Sequence, residues 1–286
     1  LYGALAYGVW GLVPAFWKLL AQIPALELIG HRVVWGVLTL LVLVAATGRV
    51  EATKQALRDR RVLVAMACSS VLLSINWGTF VYAVSAGRLL EASLGYFINP
   101  LVSVALGVLA LGEKLRRAQK LAIALAAIGV VALTLHLGHL PYLALVLAFS
   151  FGLYGLVRKT AKVESLAGST VETALMSPIA LIGLGLLFAR GTGALGHADA
   201  ATHALLITTG LISTIPLLLF TSAARRLPLS TVGFLQYLAP TGQFLLAVLV
   251  YDEPFSSGTL TAFAVIWAGL AVFSYDAWQS SSRPAA

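Results

Sequence analysis

Glu27, His31 and Arg32 lie at the start of a run, LELIGHRVVWGVLTLLVLVAA (Leu26 to Ala46), that is otherwise almost wholly apolar. Glu27 and His31 are four apart and share one helix face; Arg32 is one step round from it. A guanidinium suits a carboxylate or other anionic group, which it grips through two parallel hydrogen bonds. An imidazole takes up or releases a proton near neutral pH. Ionisable groups inside apolar helices are costly and mark solute pathways. The competing reading is an interfacial cluster, with Glu27 and His31 forming a local ion pair and Arg32 reaching outward to the interface. Lys18, at the end of the preceding apolar run, is either a second cation for a ligand or another interfacial anchor.

Further hydrogen-bonding and flat apolar side chains recur in other runs. Asn76, Trp77 and Tyr82 lie in the third, Tyr96 and Asn99 in the fourth, and Gln236, Tyr237 and Gln243 in the ninth. An unpaired amide in hydrocarbon costs kilocalories, so each needs a helix neighbour or a ligand. The aromatic residues also suit packing or interfacial belts. Pro14, Pro100 and Pro240 are candidate helix breaks or gates, the last two interrupting corresponding helices where protein or a wet cavity satisfies the freed backbone.

The elements that must position these residues are transmembrane helices. Hydrophobic residues make up 59% of the 286, charged residues 10%, and the mean hydropathy is +0.93. A soluble domain carries about 25% charged residues. Ten continuously apolar runs of about span length can be traced: Gly3 to Leu20, Leu26 to Ala46, Leu63 to Val84, Ala92 to Leu111, Leu121 to Leu137, Tyr142 to Val157, Thr170 to Ala189, Ala204 to Ala224, Thr231 to Tyr251 and Leu260 to Ala277. Membrane β-strands would alternate instead. The expected fold class is therefore an all-α polytopic membrane protein with ten transmembrane helices. The chain opens on Leu1, so preceding residues are expected, and the first run is read as a span rather than a signal peptide. Cys68 is the single cysteine, which excludes an intramolecular disulfide and a cysteine metal site.

Basic residues set the orientation. Fifteen of the nineteen Lys and Arg fall in the connections after runs two, four, six and eight and in the tail; Lys18, Arg88 and Arg190 fall on the other side, and Arg32 within a run. The positive-inside rule places both termini in the cytoplasm. Topology and anionic lipid then account for the net charge of +8, with no nucleic-acid partner.

The chain also repeats itself. Pro100 and Pro240, Glu113 and Glu253, and Gly129 and Gly269 are each separated by 140 residues; Gly11 and Lys18 match Gly152 and Lys159 at 141. Five runs per half is an odd number, so the second half enters the membrane from the opposite side. Inverted repeats are a signature of carriers whose halves rock about a midplane cavity. Residues 1–138 form the first repeat, 139–279 the second, and 280–286 a cytoplasmic tail. Runs five and ten, nearly devoid of polar residues, are read as peripheral supports or homodimer faces.

The segments EASLGYFINPL, SFGLYGLVRK, RRLPLSTVGFLQYLAPT and ALELIGHRVVW resemble the RarD-type branch of the drug/metabolite transporter superfamily, the EamA-like ten-helix carriers. The resemblance runs over nearly the whole chain. It implies a bacterial inner-membrane protein with two five-helix repeats, acting as an exporter or permease for a small molecule such as an amino acid, a related amphoteric or anionic metabolite, or a drug. It implies no cofactor.

Enzyme signatures are missing from the sequence: there is no phosphate-cradling Gly-rich loop with Lys-Ser/Thr, no HExxH and no GxSxG, so ATP is not the direct driver. A channel, a receptor, or an intramembrane enzyme using His31 and Glu27 is the alternative. Remaining acids have structural readings: Glu172 closes a capping box with Ser169, Glu91 sits at a helix N-terminus, and Glu113 and Glu253 are expected to be exposed beside loops.

Overall fold

In the computed structural model, residues 1–137, 139–252 and 257–281 are described. Glu253 and the tail from residue 282 lie outside them. The described residues form α1 (Tyr2–Lys18), α2 (Ala25–Ala46), α3 (Val50–Arg58), α4 (Arg60–Ser85), α5 (Leu89–Leu111) and α6 (Arg117–Leu137). These are followed by α7 (Tyr142–Thr160), α8 (Ser165–Ala189), α9 (Ala200–Arg226), α10 (Leu229–Gln236), α11 (Leu238–Val250) and α12 (Ser257–Ser281).

Long apolar runs coil because hydrocarbon offers the backbone no other hydrogen-bond partner. Pro24, Pro141 and Pro228 immediately precede α2, α7 and α10, where a missing N–H costs nothing. Gly48, Gly87, Gly112 and Gly191 end α2, α4, α5 and α8 in the left-handed region, at φ of +66°, +68°, +67° and +64°.

Among the described residues, seven segments are long and apolar enough to cross a bilayer: those of α2, α4, α5, α7, α8, α9 and the α10–α11 pair. The other three expected runs correspond to α1, only 17 residues long, and to α6 and α12. The connection after the second run, expected as a loop, coils into α3. Its Ala56 joins Val62, Met66, Val163, Ala167 and Val171 in a small apolar cluster against α4 and α8, and this packing holds a helix too short to persist alone.

The helices pack in a regular set of pairs. α1 lies against α9 and α11, and α7 against α4 and α5; α2 packs on α8 and α9, α4 on α8, α5 on α10, and α6 on α12. Two crossings are very close. Gly11 and Gly242 put α1 and α11 backbone to backbone, since a Cβ on Gly11 would sit 3.2 Å from the Gly242 Cα. Gly233 lets α10 approach α5, where its Cβ would come within 2.8 Å of the Pro100 carbonyl.

The two prolines behave differently. α5 continues through Pro100, so the expected interruption there is corrected; the span containing Pro240 does break, at Tyr237 between α10 and α11. Pro100 leaves the Tyr96 carbonyl without its helical donor, while the neighbouring Phe97 carbonyl accepts from the Tyr237 hydroxyl at 3.3 Å. Pro14 likewise lies inside an unbroken α1.

Candidate functional site

Arg32 stands at the start of the third turn of α2 and faces the interior of the bundle. Its Nε donates to Ser213 Oγ of α9 at 2.9 Å. The guanidinium lies over the Trp77 ring of α4 at 4.3 Å and the Trp17 ring of α1 at 5.1 Å from the ring centroids. Four helices therefore fix one cation: a hydroxyl bond sets the roll of the fork, and two ring faces supply favourable quadrupoles without neutralising it. Nη1 and Nη2 make no hydrogen bond to a described residue and are not among the fully enclosed polar atoms. Tyr96 of α5 is in electrostatic reach of Arg32 and is 38% exposed. Tyr82, near the end of α4, is 56% exposed.

Glu27 and His31 turn to other partners. Glu27 is buried, and its Oε1 accepts the Ala194 N–H at 2.6 Å, fastening the α8–α9 connection. His31 Nδ1 accepts from the Trp35 indole at 3.3 Å, which leaves the proton of the neutral ring on Nε2, 3.7 Å from Glu27 Oε1. Glu27 and His31 thus lie side by side on one helix face with no hydrogen bond between them, while Arg32 points into the bundle rather than out to the interface.

The remaining candidates divide. Asn76 spends both amide hydrogens on α7, donating to the Leu147 carbonyl at 2.9 Å and to Ser150 Oγ at 3.1 Å. Gln243 donates to the Trp10 carbonyl at 3.3 Å and ties α11 to α1. Gln236 donates to Ser103 Oγ at 3.0 Å, and its Oε1 has no bonded partner. Asn99, one turn from Tyr96, is buried with Oδ1 unpartnered. Lys18 is exposed at the end of α1 and lies 3.2 Å over the Tyr251 ring at the end of α11, an interfacial anchor away from Arg32. The structure therefore groups Arg32, Trp77 and Tyr96, and assigns Asn76, Gln243 and Tyr237 to contacts between helices.

The sequence reading missed a second charged centre. Arg158 is 1% exposed and Glu172 fully buried, with Nη1 and Oε2 3.5 Å apart. Ser69 Oγ donates to the same Oε2, and the Tyr154 hydroxyl donates to Oε1 at 3.2 Å. Arg158 Nη2 reaches the Ser165 carbonyl and Ser169 Oγ, both at 3.2 Å. Glu172 is thus no capping-box acid: α8 begins at Ser165, so Glu172 stands in its third turn, facing α4 and α7. Arg158 leaves the cytoplasmic tally, which falls from fifteen to fourteen and keeps its bias. Ser165, Ser169 and Thr173, at four-residue spacing beside Glu172, were the available sign of a polar helix face. Glu113 is also corrected. It accepts from the N–H groups of Leu229 at 2.5 Å and Ser230 at 2.9 Å and from Ser230 Oγ at 2.7 Å, capping α10 across 117 residues. Glu91 accepts the Leu143 N–H at 2.7 Å at the start of α7 and pairs with Arg88.

Near the N-terminal half of α1, Tyr7, Trp10, Phe151, Tyr154 and Phe220 stack with centroid separations from 5.0 to 6.1 Å. These rings from α1, α7 and α9 form one apolar cluster with Val33 of α2, against which Trp77, the ring over Arg32, also packs.

The EamA-like transporter family pattern matches this chain twice, over residues 1–135 and 141–275. The chain belongs to that family. Similar proteins include an uncharacterised transporter of Pseudomonas aeruginosa, 47% identical over 98% of this chain and 94% of its own length. The transporter YojE of Bacillus subtilis is 44% identical over 99% and 96%. The RarD protein of Escherichia coli is 44% identical over 97% and 94%, which places the chain in the RarD branch. A solved crystal structure shares the fold, with a TM-score of 0.72 and 95% coverage of both chains at 21% identity. Within this EamA-like transporter, Arg32, Trp17, Trp77 and Tyr96 come from the first matched segment, and Ser213, the residue orienting Arg32, comes from the second.

Proposed function

We propose that this EamA-like protein is a secondary carrier that exports a small solute bearing a carboxylate or comparable anionic group across the bacterial inner membrane by alternating access. The observation that carries the reading is the Arg32 fork, held by Ser213 between two indoles with both terminal nitrogens unspent. The exposure of Tyr82 and Tyr96 supports access for a solute from the side of the bundle that holds Arg32. The bias of Lys and Arg supports assigning that side to the periplasm and both termini to the cytoplasm.

Ten crossings in two inverted five-helix halves, 1–138 and 139–279, are supported by the double family match. They are also supported by the packing: exchanging the halves turns α1–α11 into α7–α5, α1–α9 into α7–α4, and α2–α9 into α8–α4, while α2–α8, α5–α10 and α6–α12 map onto themselves. The exposed Leu121, Ile128 and Val131 on α6 and Leu260 on α12 would face lipid or a second copy in a homodimer.

Counterflow into proteoliposomes loaded with amino acids, related organic acids or amphenicol drugs tests the reading. The last class is included because a P. aeruginosa relative, 30% identical, is named a chloramphenicol-sensitive RarD protein. Saturable counterflow of unaltered solute is expected; non-saturating flux would indicate a channel and a modified product an enzyme. Arg32→Lys should fold normally yet transport more weakly, because an ammonium cannot reproduce two parallel bonds. Normal flux through well-folded Arg32→Gln would remove Arg32 from the site.

A further inference from the structure

The charge inventory around Arg32 narrows the solute further. We infer that the site selects organic monoanions, monocarboxylates with a flat or apolar body, and discriminates against zwitterions carrying the same body; this rests on Arg32 being the solute anchor. Among the described residues, no carboxylate forms an ion pair or hydrogen bond with Arg32, and each one inside the bundle has another contact, Asp276 with Arg116 included. Glu27 binds the Ala194 N–H, Glu91 pairs with Arg88, Glu113 caps α10 and Glu172 faces Arg158. Arg32 has the phenol of Tyr96, not a carboxylate, as its electrostatic neighbour on α5. Its charge is therefore uncompensated, and a solute with one negative charge neutralises the pair it forms.

A zwitterion has the same carboxylate but brings an ammonium within a few ångströms of it. That ammonium would lie near a fixed guanidinium with no carboxylate to pair with, and the nearby faces of Trp17 and Trp77 already carry the guanidinium. Leaving water for such a place is costly unless a counter-charge or a full set of acceptors takes over. The neutral acceptor nearby, Asn99 Oδ1, suits a hydroxyl or amide N–H and brings no counter-charge. A dianion is disfavoured in turn, because Lys18, the other cation at this end of α1, is stacked on Tyr251. Tyr96 and the indole edges supply flat apolar surface, so the body of the solute is held by area and its head by Arg32.

The test compares three probes with one body: 3-phenylpropionate, phenylalanine, which differs by an α-ammonium, and uncharged 3-phenylpropanamide. Binding to the purified full chain in detergent is measured by titration calorimetry, with competition in counterflow as a second readout. 3-Phenylpropionate should bind about tenfold or more tightly than either of the others, the scale on which buried polar groups left without partners reject a ligand. Arg32→Gln should erase the difference between 3-phenylpropionate and the amide, and Arg32→Lys should keep its sign at lower affinity. Equal or tighter binding of phenylalanine, lost in Arg32→Gln, would overturn the monoanion inference while leaving Arg32 as the anchor. Undiminished binding of 3-phenylpropionate to a monodisperse Arg32→Gln protein would overturn the anchor itself. No binding of 3-phenylpropionate at millimolar concentration would overturn the inference outright.

Discussion

Removing one member of the Arg158–Glu172 pair should cost far more than removing both. The two side chains are 1% and 0% exposed, 3.5 Å apart, and knit together α7, α8 and, through Ser69, α4. Breaking a buried pair from one side leaves an uncompensated charge and costs about 3–5 kcal/mol. Arg158→Met keeps most of the volume and strands Glu172; Glu172→Gln keeps an acceptor for Ser69 and Tyr154 and strands Arg158. For chains of this size, each kcal/mol moves the melting temperature by about 2–4 °C, so each single variant should melt roughly 6–20 °C lower. The double variant Arg158→Met/Glu172→Gln contains neither charge and should recover most of that loss, giving a coupling energy of at least about 2 kcal/mol. Thermal unfolding of the four proteins in one detergent, followed by intrinsic fluorescence, completes the cycle. Additive losses would refute the argument, since they would mean that the two groups are stabilised separately.

Glu113→Ala should destabilise by about 1–2 kcal/mol by uncapping α10, with Ser230→Ala costing less because the two backbone bonds survive; thermal melts of both check this. Asp199 caps α9 by accepting the Thr202 N–H at 2.7 Å, and this contact with Thr202 holds its carboxyl below the usual carboxylate range. A depressed folded value means that the stabilisation is complete above the ordinary Asp range and disappears as pH falls through the folded value. The melting difference between wild type and Asp199→Ala should therefore be present at pH 7 and shrink once the pH falls below the ordinary Asp range. In a Cys68→Ser background, Thr192→Cys should react with an impermeant maleimide added to intact cells and Gln55→Cys only after permeabilisation; the reverse pattern would invert the proposed topology.

Local signals carried much of the architecture. Apolar length and the Pro and Gly boundary residues are properties of short stretches, and the helices of the structure largely follow them. Partnerships were not legible. Arg32 stood out because a charge in an apolar run is conspicuous, but Ser213, which orients it, lies 181 residues away and is an ordinary serine in sequence. Arg158 was read as a loop cation because it follows an apolar run, and Glu172 as a cap because Ser169 stands three residues before it. Only the packing of α4, α7 and α8 puts them together.

By itself, then, the sequence determined that this protein is a bundle of membrane helices, since hydrocarbon leaves a backbone no alternative, and that its polar residues would be few and significant. Tertiary structure decided which of those residues satisfy one another and which stay available. The contrast between Pro100 and Pro240 is also visible only in the structure. Both lack the N–H that a helix needs, yet α5 runs on without interruption while the second span divides at Tyr237, a residue that keeps helical dihedrals. Glu113 and Glu172 are chemically alike, but one finds free N–H groups at a helix start and the other a buried guanidinium. Arg32 differs from Arg158 for the same reason: it meets a hydroxyl and two indoles and, among the described residues, no carboxylate.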